Sequence, residues 1–364
     1  MILFSNIFRG KKVLVTGHAG FKGAWLSFWL KKLGAQVFGI SDKITTDPSH
    51  FELLKIDMHS FMIDIRNKVD LNDKIQEIQP DIIFHLAAQP LVRYSYNEPV
   101  ETFETNVMGT VNILHICQSL KDCKGIVNIT SDKCYENFED DRPYNEVDRM
   151  GGYDPYSASK GAAELVASSF RKSFFNPKEY GVKHRFILAS ARAGNVIGGG
   201  DWSEDRLIPD LVKNYNKGKT TIIRSPFSTR PWQHVLEPLS GYLLLGQKVL
   251  EGDVSVSEGW NFGPENNETL TVKEVLEASG KVWNDLKFDF PLLKNQPHEA
   301  TLLRLDCTKA NQKLNWYPVW EMEKSIQKTI LWYKKLYLNQ EITTENDLFN
   351  YIEDAKRKNI VWIT

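Results

Sequence analysis

Apolar residues in the first half of the chain fall into short unbroken runs, each followed by a longer stretch of helical period. Val13-Leu14-Val15, Val37-Phe38-Gly39-Ile40, Ile82-Ile83-Phe84 and Ile126-Val127-Asn128-Ile129 are runs of this kind. A strand apolar on both sides is expected where helices cover both faces of a parallel sheet. Between the first two runs, Trp25, Leu26, Trp29, Leu30 and Leu33 recur at helical spacing, and Gly34 stands where a C-terminal cap belongs. A second periodic stretch runs from Val100 to Leu120. Met62-Ile63-Asp64-Ile65 reads as the end of a further strand, and His184 to Arg192 as a later one. This alternation predicts an α/β fold with a doubly wound, parallel Rossmann-type sheet.

After Arg192 the pattern loosens. Arg206 to Val212 predicts a helix, Thr220 to Arg224 a strand, Leu270 to Leu276 a capped helix start, and Ser325 to Leu336 an amphipathic helix. The expected organisation is a dinucleotide-binding domain over residues 1–190 to which later segments return, and a smaller mixed α/β substrate lobe over 191–338. A C-terminal extension over 339–364 has no role legible in its residues. Trp316, Trp320 and Trp332 read as packing groups.

Composition narrows the function classes. The 364 residues are 42% hydrophobic and 25% charged with a net charge of −1, which gives no electrostatic case for nucleic acid or an anionic membrane surface. No run is long enough to span a bilayer, and the apolar start, Met1 to Phe8, lacks the order of a signal peptide. Four cysteines without a Cys-x-x-Cys pair suit reduced thiols in the cytoplasm. The eight histidines show no ligand spacing, so no metal is expected.

Candidate chemistry begins where the first strand meets Gly17-His18-Ala19-Gly20-Phe21-Lys22-Gly23. A glycine-rich turn between strand and helix lets the backbone approach a pyrophosphate, which the helix N-terminus then attracts. His18 either affects cofactor affinity or is a solvated loop residue. Asp42, after the second strand, is placed to bind an adenosine ribose and favours NAD, whereas Lys43 beside it suits a 2′-phosphate. Asp64, with Ile65 next to it, is set to meet the adenine or simply to cap a loop. Leu86-Ala87-Ala88 offers a backbone that can lie against a ribose, and Gln89 follows on the substrate side. Asn106 suits a polar network near the active site, and His85 a satisfied core position.

The central stretch is Ile129 to Lys160. Ser131, Asp132 and Lys133 follow a buried strand, at the end where open α/β sheets place ligands. Tyr156 and Lys160, at i and i+4, share a helix face, and the ammonium is expected to lower the phenol pKa and make it a proton acceptor. Further on, Asn195, Arg206, Arg224, Arg230 and His298 are candidates for holding a diphosphate or ribose, with surface salt bridges the competing reading for the arginines. The run Gly198-Gly199-Gly200-Asp201-Trp202 could wrap a phosphate or fold over a sugar, and Trp232 offers an aromatic face.

Taken together, Thr16 to Gly23, Leu86 to Gln89, Ser131 to Asn137 and Tyr156 to Gly161 resemble the extended short-chain dehydrogenase/reductase family, and within it the nucleotide-sugar 4,6-dehydratases. Arg192 to Trp202 and Arg230 to Val235 extend the resemblance, most closely to the members that act on CDP-glucose. It implies NAD as cofactor, a nucleotide-sugar substrate contacted by Asn195, and a homo-oligomer, dimer or tetramer. It also implies C4 oxidation assisted by Tyr156, Lys160 and Ser131, then loss of water across C5 and C6 with Asp132 as acid and Lys133 as base. The alternatives are a 4-epimerase, a dehydratase acting on another nucleotide sugar, a plain NADP reductase and a nucleotide-binding scaffold.

Overall fold

The computed structural model describes residues 3–138, 142–223, 225–264, 269–291 and 303–364. Among them, seven parallel strands form the central sheet: β1 (Lys12–Thr16), β2 (Gln36–Ser41), β3 (His59–Met62), β4 (Ile82–His85), β5 (Gly125–Ile129), β6 (Ile187–Ala193) and β7 (Gly259–Phe262). Their order is β7-β6-β5-β4-β1-β2-β3. Val13 pairs with Val37 on one side and Ile82 on the other, so the strand order reverses at β1. A cleft for ligand opens at the carboxyl ends beside such a reversal. β7, from far along the chain, completes the sheet beside β6.

The helices that matter here are α1 (Phe21–Lys32), α2 (Lys68–Ile78), α3 (Gly109–Cys117), α4 (Pro155–Ser173), α5 (Leu207–Asn216), α6 (Leu236–Glu251), α7 (Val272–Val282), α8 (Met322–Asn339) and α9 (Thr344–Arg357). They cover both sheet faces. Val13, Val15, Phe84, Val127 and Ala189 pack with Trp25 and Trp29 of α1 and Leu239 and Leu243 of α6. The residues between them, Leu14, Ile83, Ile126 and Leu188, pack with Leu71 and Ile75 of α2 and Ile113 of α3. Each large apolar side chain so buried contributes about 1.5–3 kcal/mol. Two covered faces are why the strands read as unbroken apolar runs.

Element ends differ from expectation in three places. The third strand stops at Met62, which leaves Asp64 and Ile65 in the following loop. β6 begins at Ile187 rather than His184, whose carbonyl instead accepts Gly181 N in a turn. The helix expected over 100–120 carries a π turn, Glu104–Met108, between Pro99–Phe103 and α3. Such bulges reset the facing of side chains and recur at functional sites. Other details agree with the sequence: Gly34 caps α1 with φ +83°, and Thr271 and Glu274 form a capping box on α7.

A third cluster organises the later residues: Ile208 and Leu211 of α5, Val275 and Leu276 of α7, and Ile326 and Ile330 of α8, with Trp232 buried among them. Trp232 is therefore a packing group rather than an open aromatic face. The glycine run at 198–200 also differs from expectation. A Cβ on Gly199 would stand 2.1 Å from the Trp332 ring, and one on Gly200 2.3 Å from His50. These glycines admit protein rings, not a ligand. Trp316, Trp320 and Trp332 are buried, as expected.

Residues 339–364 fold back on α1 and the N-terminal residues. Tyr351 of α9 stacks on Trp362 at 5.7 Å, Trp362 stacks on Phe4 at 5.3 Å, and Tyr351 meets Trp29 of α1 edge-on at 5.9 Å. Tyr351 also donates to Glu237 at 2.8 Å, a buried carboxylate that accepts the Val319 and Trp320 amides and is pushed up to about 7 by burial. Residues 339–364 thus close the apolar side of α1.

Buried histidines make the fold acid-sensitive. Burial pushes His18 down to about 4, and His50, His85 and His234 down to about 3. Between those values and 6.5 the unfolded chain binds more protons, so their contribution is complete above pH 6.5 and lost as pH falls. Glu237 and Asp347, raised to about 7 and about 6, act in the opposite sense, as do Asp132, Glu146 and Asp210, while Asp64, Asp148, Glu164, Glu258 and Asp354, held down by their cationic or hydrogen-bonding partners, add to the histidines. The urea midpoint should therefore fall steadily from pH 7 to pH 4.5; a flat or rising profile would contradict this.

Candidate active site

β5 ends at Ile129, and Thr130 N donates to Ala191 O of β6 at 2.9 Å, so the next residues leave the sheet at its carboxyl edge. A single turn, Asp132–Cys134, follows, capped by the Ser131 hydroxyl, which accepts Lys133 N at 3.2 Å. The same hydroxyl donates to Asp132 Oδ1 at 2.8 Å. Asp132 is buried against bare backbone: a Cβ on Gly194 would stand 2.9 Å from Asp132 Oδ2. Burial pushes its carboxyl up, while Lys133, Ser131 and Lys22 pull it down. A carboxyl held towards its neutral form can donate a proton.

The other half of the site comes from α4. Asp154 caps this helix by accepting Ser157 N at 2.9 Å, with Pro155 in its first turn. Tyr156 and Lys160 are both buried, one helical turn apart. Tyr156 N donates to Ser95 Oγ at 3.1 Å, which fixes the start of the helix. One turn after Lys160, Glu164 accepts Thr130 Oγ1 at 2.5 Å and pairs with Arg192 of β6 at 2.8 Å. Arg192 also donates to Tyr135 OH at 2.7 Å. Glu164 thus ties α4 to the strand ends that carry Ser131 and Asp132.

The phenol behaves differently from expectation. Burial pushes Tyr156 up to about 12, and Asp132 adds to this, while the Ser131 hydroxyl and Arg206 pull it down. Burial also lowers Lys160 to about 8. Desolvation therefore outweighs local charge at both groups. The protein's own groups leave the Tyr156 phenol above its ordinary value.

The glycine turn supplies a second wall. Gly17, with φ +76°, lies so close to β4 that a Cβ there would stand 2.7 Å from Ala87 N. A Cβ on Gly23 would stand 2.0 Å from Gly17 O, so the turn closes on itself. Gly20 has only Gly17 O near its Cβ position, at 3.4 Å, which leaves space above the first turn of α1. That space, the amides of α1 and the adjacent Leu86-Ala87-Ala88 segment fit a dinucleotide diphosphate. His18 is buried rather than solvated: it hydrogen-bonds Ser60 Oγ at 2.6 Å and Ser41 Oγ at 3.0 Å beneath the turn. Phe21 lies beside Gly198, and Asp42, exposed at the end of β2, stands 3.9 Å from Lys43. Asp64 forms a bidentate pair with Arg66 that holds its carboxyl down, and Ile65 is buried against Gly109.

Asn106 lies at the heart of the expected polar network. It accepts Gln89 N at 2.8 Å and donates to Gln89 O and to Ser159 Oγ. The Gln89 amide donates to Thr102 Oγ1 at 2.9 Å and to Leu91 O at 3.1 Å, so it fixes its own loop. His85 is a satisfied core histidine, 2.7 Å from Thr16 Oγ1.

Among the later residues, Arg206 pairs with Asp201 at 2.8 Å, and its charge acts on both Tyr156 and Lys22. Asn195 lies just past β6, where its carbonyl accepts Gln233 N at 3.0 Å. Arg230 sits farther out in a two-residue pairing with Leu270–Thr271. Arg224 and His298 lie outside the described residues. Sequence reasoning gave no role to Lys22, Asp201, Glu164 or Arg192. Lys22 had a signal: a lysine in the first turn of a helix otherwise rich in buried apolar residues.

Comparison with known proteins agrees with this geometry. The family model described as GDP-mannose 4,6 dehydratase matches residues 14–329. The CDP-glucose 4,6-dehydratase of Salmonella typhimurium is 48% identical over 356 residues, 97% of this chain and 99% of that protein. A UDP-glucose 4-epimerase of Mycoplasma pneumoniae is 24% identical over 90% of this chain and 97% of its own. Among solved structures, a dTDP-glucose 4,6-dehydratase from Bacillus anthracis in complex with NAD has a TM-score of 0.72 at 22% identity, covering 90% of this chain and 97% of its own. The chain belongs to the nucleotide-sugar 4,6-dehydratase family, within the extended short-chain dehydrogenase/reductases.

Proposed function

We propose that this protein converts CDP-glucose to CDP-4-keto-6-deoxyglucose, with NAD as a cofactor that is regenerated in each cycle. The observation that carries the reading is buried Asp132, raised by burial and hydrogen-bonded to Ser131 at 2.8 Å, with Lys133 beside it. A 4-epimerase needs the hydroxyl, the phenol and Lys160 but no acid–base pair at C5. The 48% identity to a CDP-glucose 4,6-dehydratase supports the choice of nucleotide.

NAD, when bound, supplies a hydride acceptor whose ring is positively charged. The glycine turn and the first turn of α1 would hold its diphosphate, and the backbone of Leu86 to Ala88 would lie against a ribose. Asp42 would take the adenosine ribose, and Asp64 with Ile65 would border the adenine. The Ser131 hydroxyl holds the sugar 4-oxygen, and Tyr156 removes its proton. Lys160, and the positive ring when NAD is bound, would offset the burial that raises the phenol to about 12. Once C4 is a ketone, the C5 proton becomes acidic because the carbanion delocalises as an enolate. Lys133 takes that proton, and Asp132 protonates the departing 6-hydroxyl, which leaves as water; the hydride taken from C4 would then return to C6 of the 5,6-alkene while Lys133 gives its proton back to C5, which completes the 4-keto-6-deoxy product. Arg206, Arg230 and Asn195 hold the nucleotide diphosphate, with Gln89 shaping the sugar side.

In this reading the residues up to about 190, joined by β7, form the cofactor domain. Residues 191–338 mainly form the substrate lobe, and 339–364 brace the former. A cytoplasmic setting is supported by four free, buried cysteines. No helix among the described residues is long and apolar enough to cross a membrane. A homo-oligomer is supported by exposed apolar residues on the Pro99–Phe103 helix, the π turn and α4, where Val100 is 68%, Met108 51% and Leu165 60% exposed.

Incubation with CDP-glucose should give a product with the alkali-dependent absorbance of a 4-keto-6-deoxy sugar. Turnover of dTDP-, GDP- or UDP-glucose instead would refute the nucleotide assignment. Tyr156→Phe should lower kcat by about 100-fold or more at unchanged circular dichroism. Lys133→Met should abolish exchange of the C5 proton with solvent; normal exchange would remove Lys133 as the base. In sedimentation, the native protein should run as a dimer or larger, and a Val100→Asp, Leu165→Glu double variant as a lighter species. A monomeric native protein would contradict the oligomer.

A further inference from the structure

We propose that Tyr135 is a positioning residue for the elimination step, its hydroxyl fixing the turn that carries Asp132 and Lys133. The inference deepens the proposed function and rests on its assignment of those two residues to the chemistry at C5 and C6.

The turn Asp132–Cys134 is short, and the backbone bonds that close it are long: Cys134 N to Ser131 O at 3.2 Å and Tyr135 N to Asp132 O at 3.3 Å. A single turn of this kind holds its own shape poorly, so its flanks set its position. Before it, Thr130 Oγ1 donates to Glu164 at 2.5 Å. After it, the Tyr135 hydroxyl accepts Arg192 Nη1 at 2.7 Å and donates to Asn261 Oδ1 of β7 at 2.7 Å. Arg192 and Glu164 are themselves paired at 2.8 Å. One ion pair therefore grips both ends of the turn, Glu164 through Thr130 and Arg192 through Tyr135.

Tyr135, Glu164, Arg192 and Asn261 are all buried. A buried hydroxyl that both donates and accepts is oriented rather than free to rotate. The parts around it are shaped to match. The Arg192 guanidinium lies 5.2 Å from the centre of the Tyr135 ring and against bare backbone of β7, where a Cβ on Gly259 would stand 2.4 Å from its Nη2. Asn261 is held in turn, its amide donating to Tyr144 O at 3.0 Å and Asp306 O at 3.1 Å. The far end of the turn is thus anchored to the central sheet. The two ends also divide the chemistry. Ser131, which holds the sugar 4-oxygen in the proposed reaction, adjoins Thr130, whereas Lys133 lies towards Tyr135. Loss of the Tyr135 hydroxyl frees the second end and leaves the first in place. A shift of about 1 Å at an acid–base group is enough to slow its step by about 100-fold.

Tyr135→Phe tests this, because it keeps the ring and its stack on Tyr144 at 5.6 Å while removing both hydroxyl bonds. In single turnovers of the full-length protein with NAD and CDP-glucose, exchange of the C5 proton and release of product should slow by about 10-fold or more. Hydride removal from C4, read by the absorbance of the reduced nicotinamide, should stay within about twofold of native. Reduced cofactor should therefore accumulate in the variant. Equal slowing of both steps, as general loosening of the fold would give, overturns the proposal, and so does unchanged C5 exchange. Should Tyr135→Phe not fold, Arg192→Lys keeps a cation beside Glu164 but lacks the fork that also reaches the hydroxyl, and it should show the same split. Failure of the proposed function shows separately, as native protein that does not turn over CDP-glucose.

Discussion

The buried pair between Glu164 and Arg192 is the constraint on which the site depends. At 2.8 Å and almost wholly out of water, it joins α4 to β6, and Thr130 at the end of β5 donates to the same carboxylate. Two charges buried together gain little net stability over an apolar contact, but breaking one side of such a pair leaves a charge stranded, at a cost of about 3–5 kcal/mol. The pair therefore works as a register pin. It sets the helix that carries Tyr156 and Lys160 against the strand end that presents Ser131 and Asp132.

That pin holds together groups that burial pushes away from their ordinary protonation. Tyr156 rises to about 12, Lys160 and Lys22 fall to about 8, and Asp132 moves towards its neutral form. The tendency is common to these four groups: the pocket disfavours charge, and in the proposed reading diphosphate anions would offset the cations and a positive nicotinamide would favour the phenolate.

Much of this was legible in the sequence because packing and turn chemistry leave local signatures. Unbroken apolar strands announced a sheet covered on both faces, and Gly34 marked the end of α1. Gly17 and Gly23 marked a turn too tight for side chains. What stayed hidden depended on contacts between distant residues. The rings of Trp332 and His50, not a phosphate, fill the space beside Gly199 and Gly200. His18 looked like a loop residue but is buried, because Ser41 and Ser60 on neighbouring strands reach it. The direction of the Tyr156 shift was misjudged because i, i+4 spacing reveals a neighbouring charge but not the depth of burial. Glu164 carried no local signal, since its partners lie 28 and 34 residues away in sequence.

The extension 339–364 illustrates the same limit. No role was legible in its residues, yet Tyr351 and Trp362 close over Trp29 and Phe4. The most direct test of the account follows the hydrogen at C4 of the sugar. With CDP-glucose deuterated at C4, the account expects the deuterium to reappear at C6 of the 4-keto-6-deoxy product, moved within one active site. Deuterium released to solvent, or retained at C4 of an epimerised sugar, would contradict it.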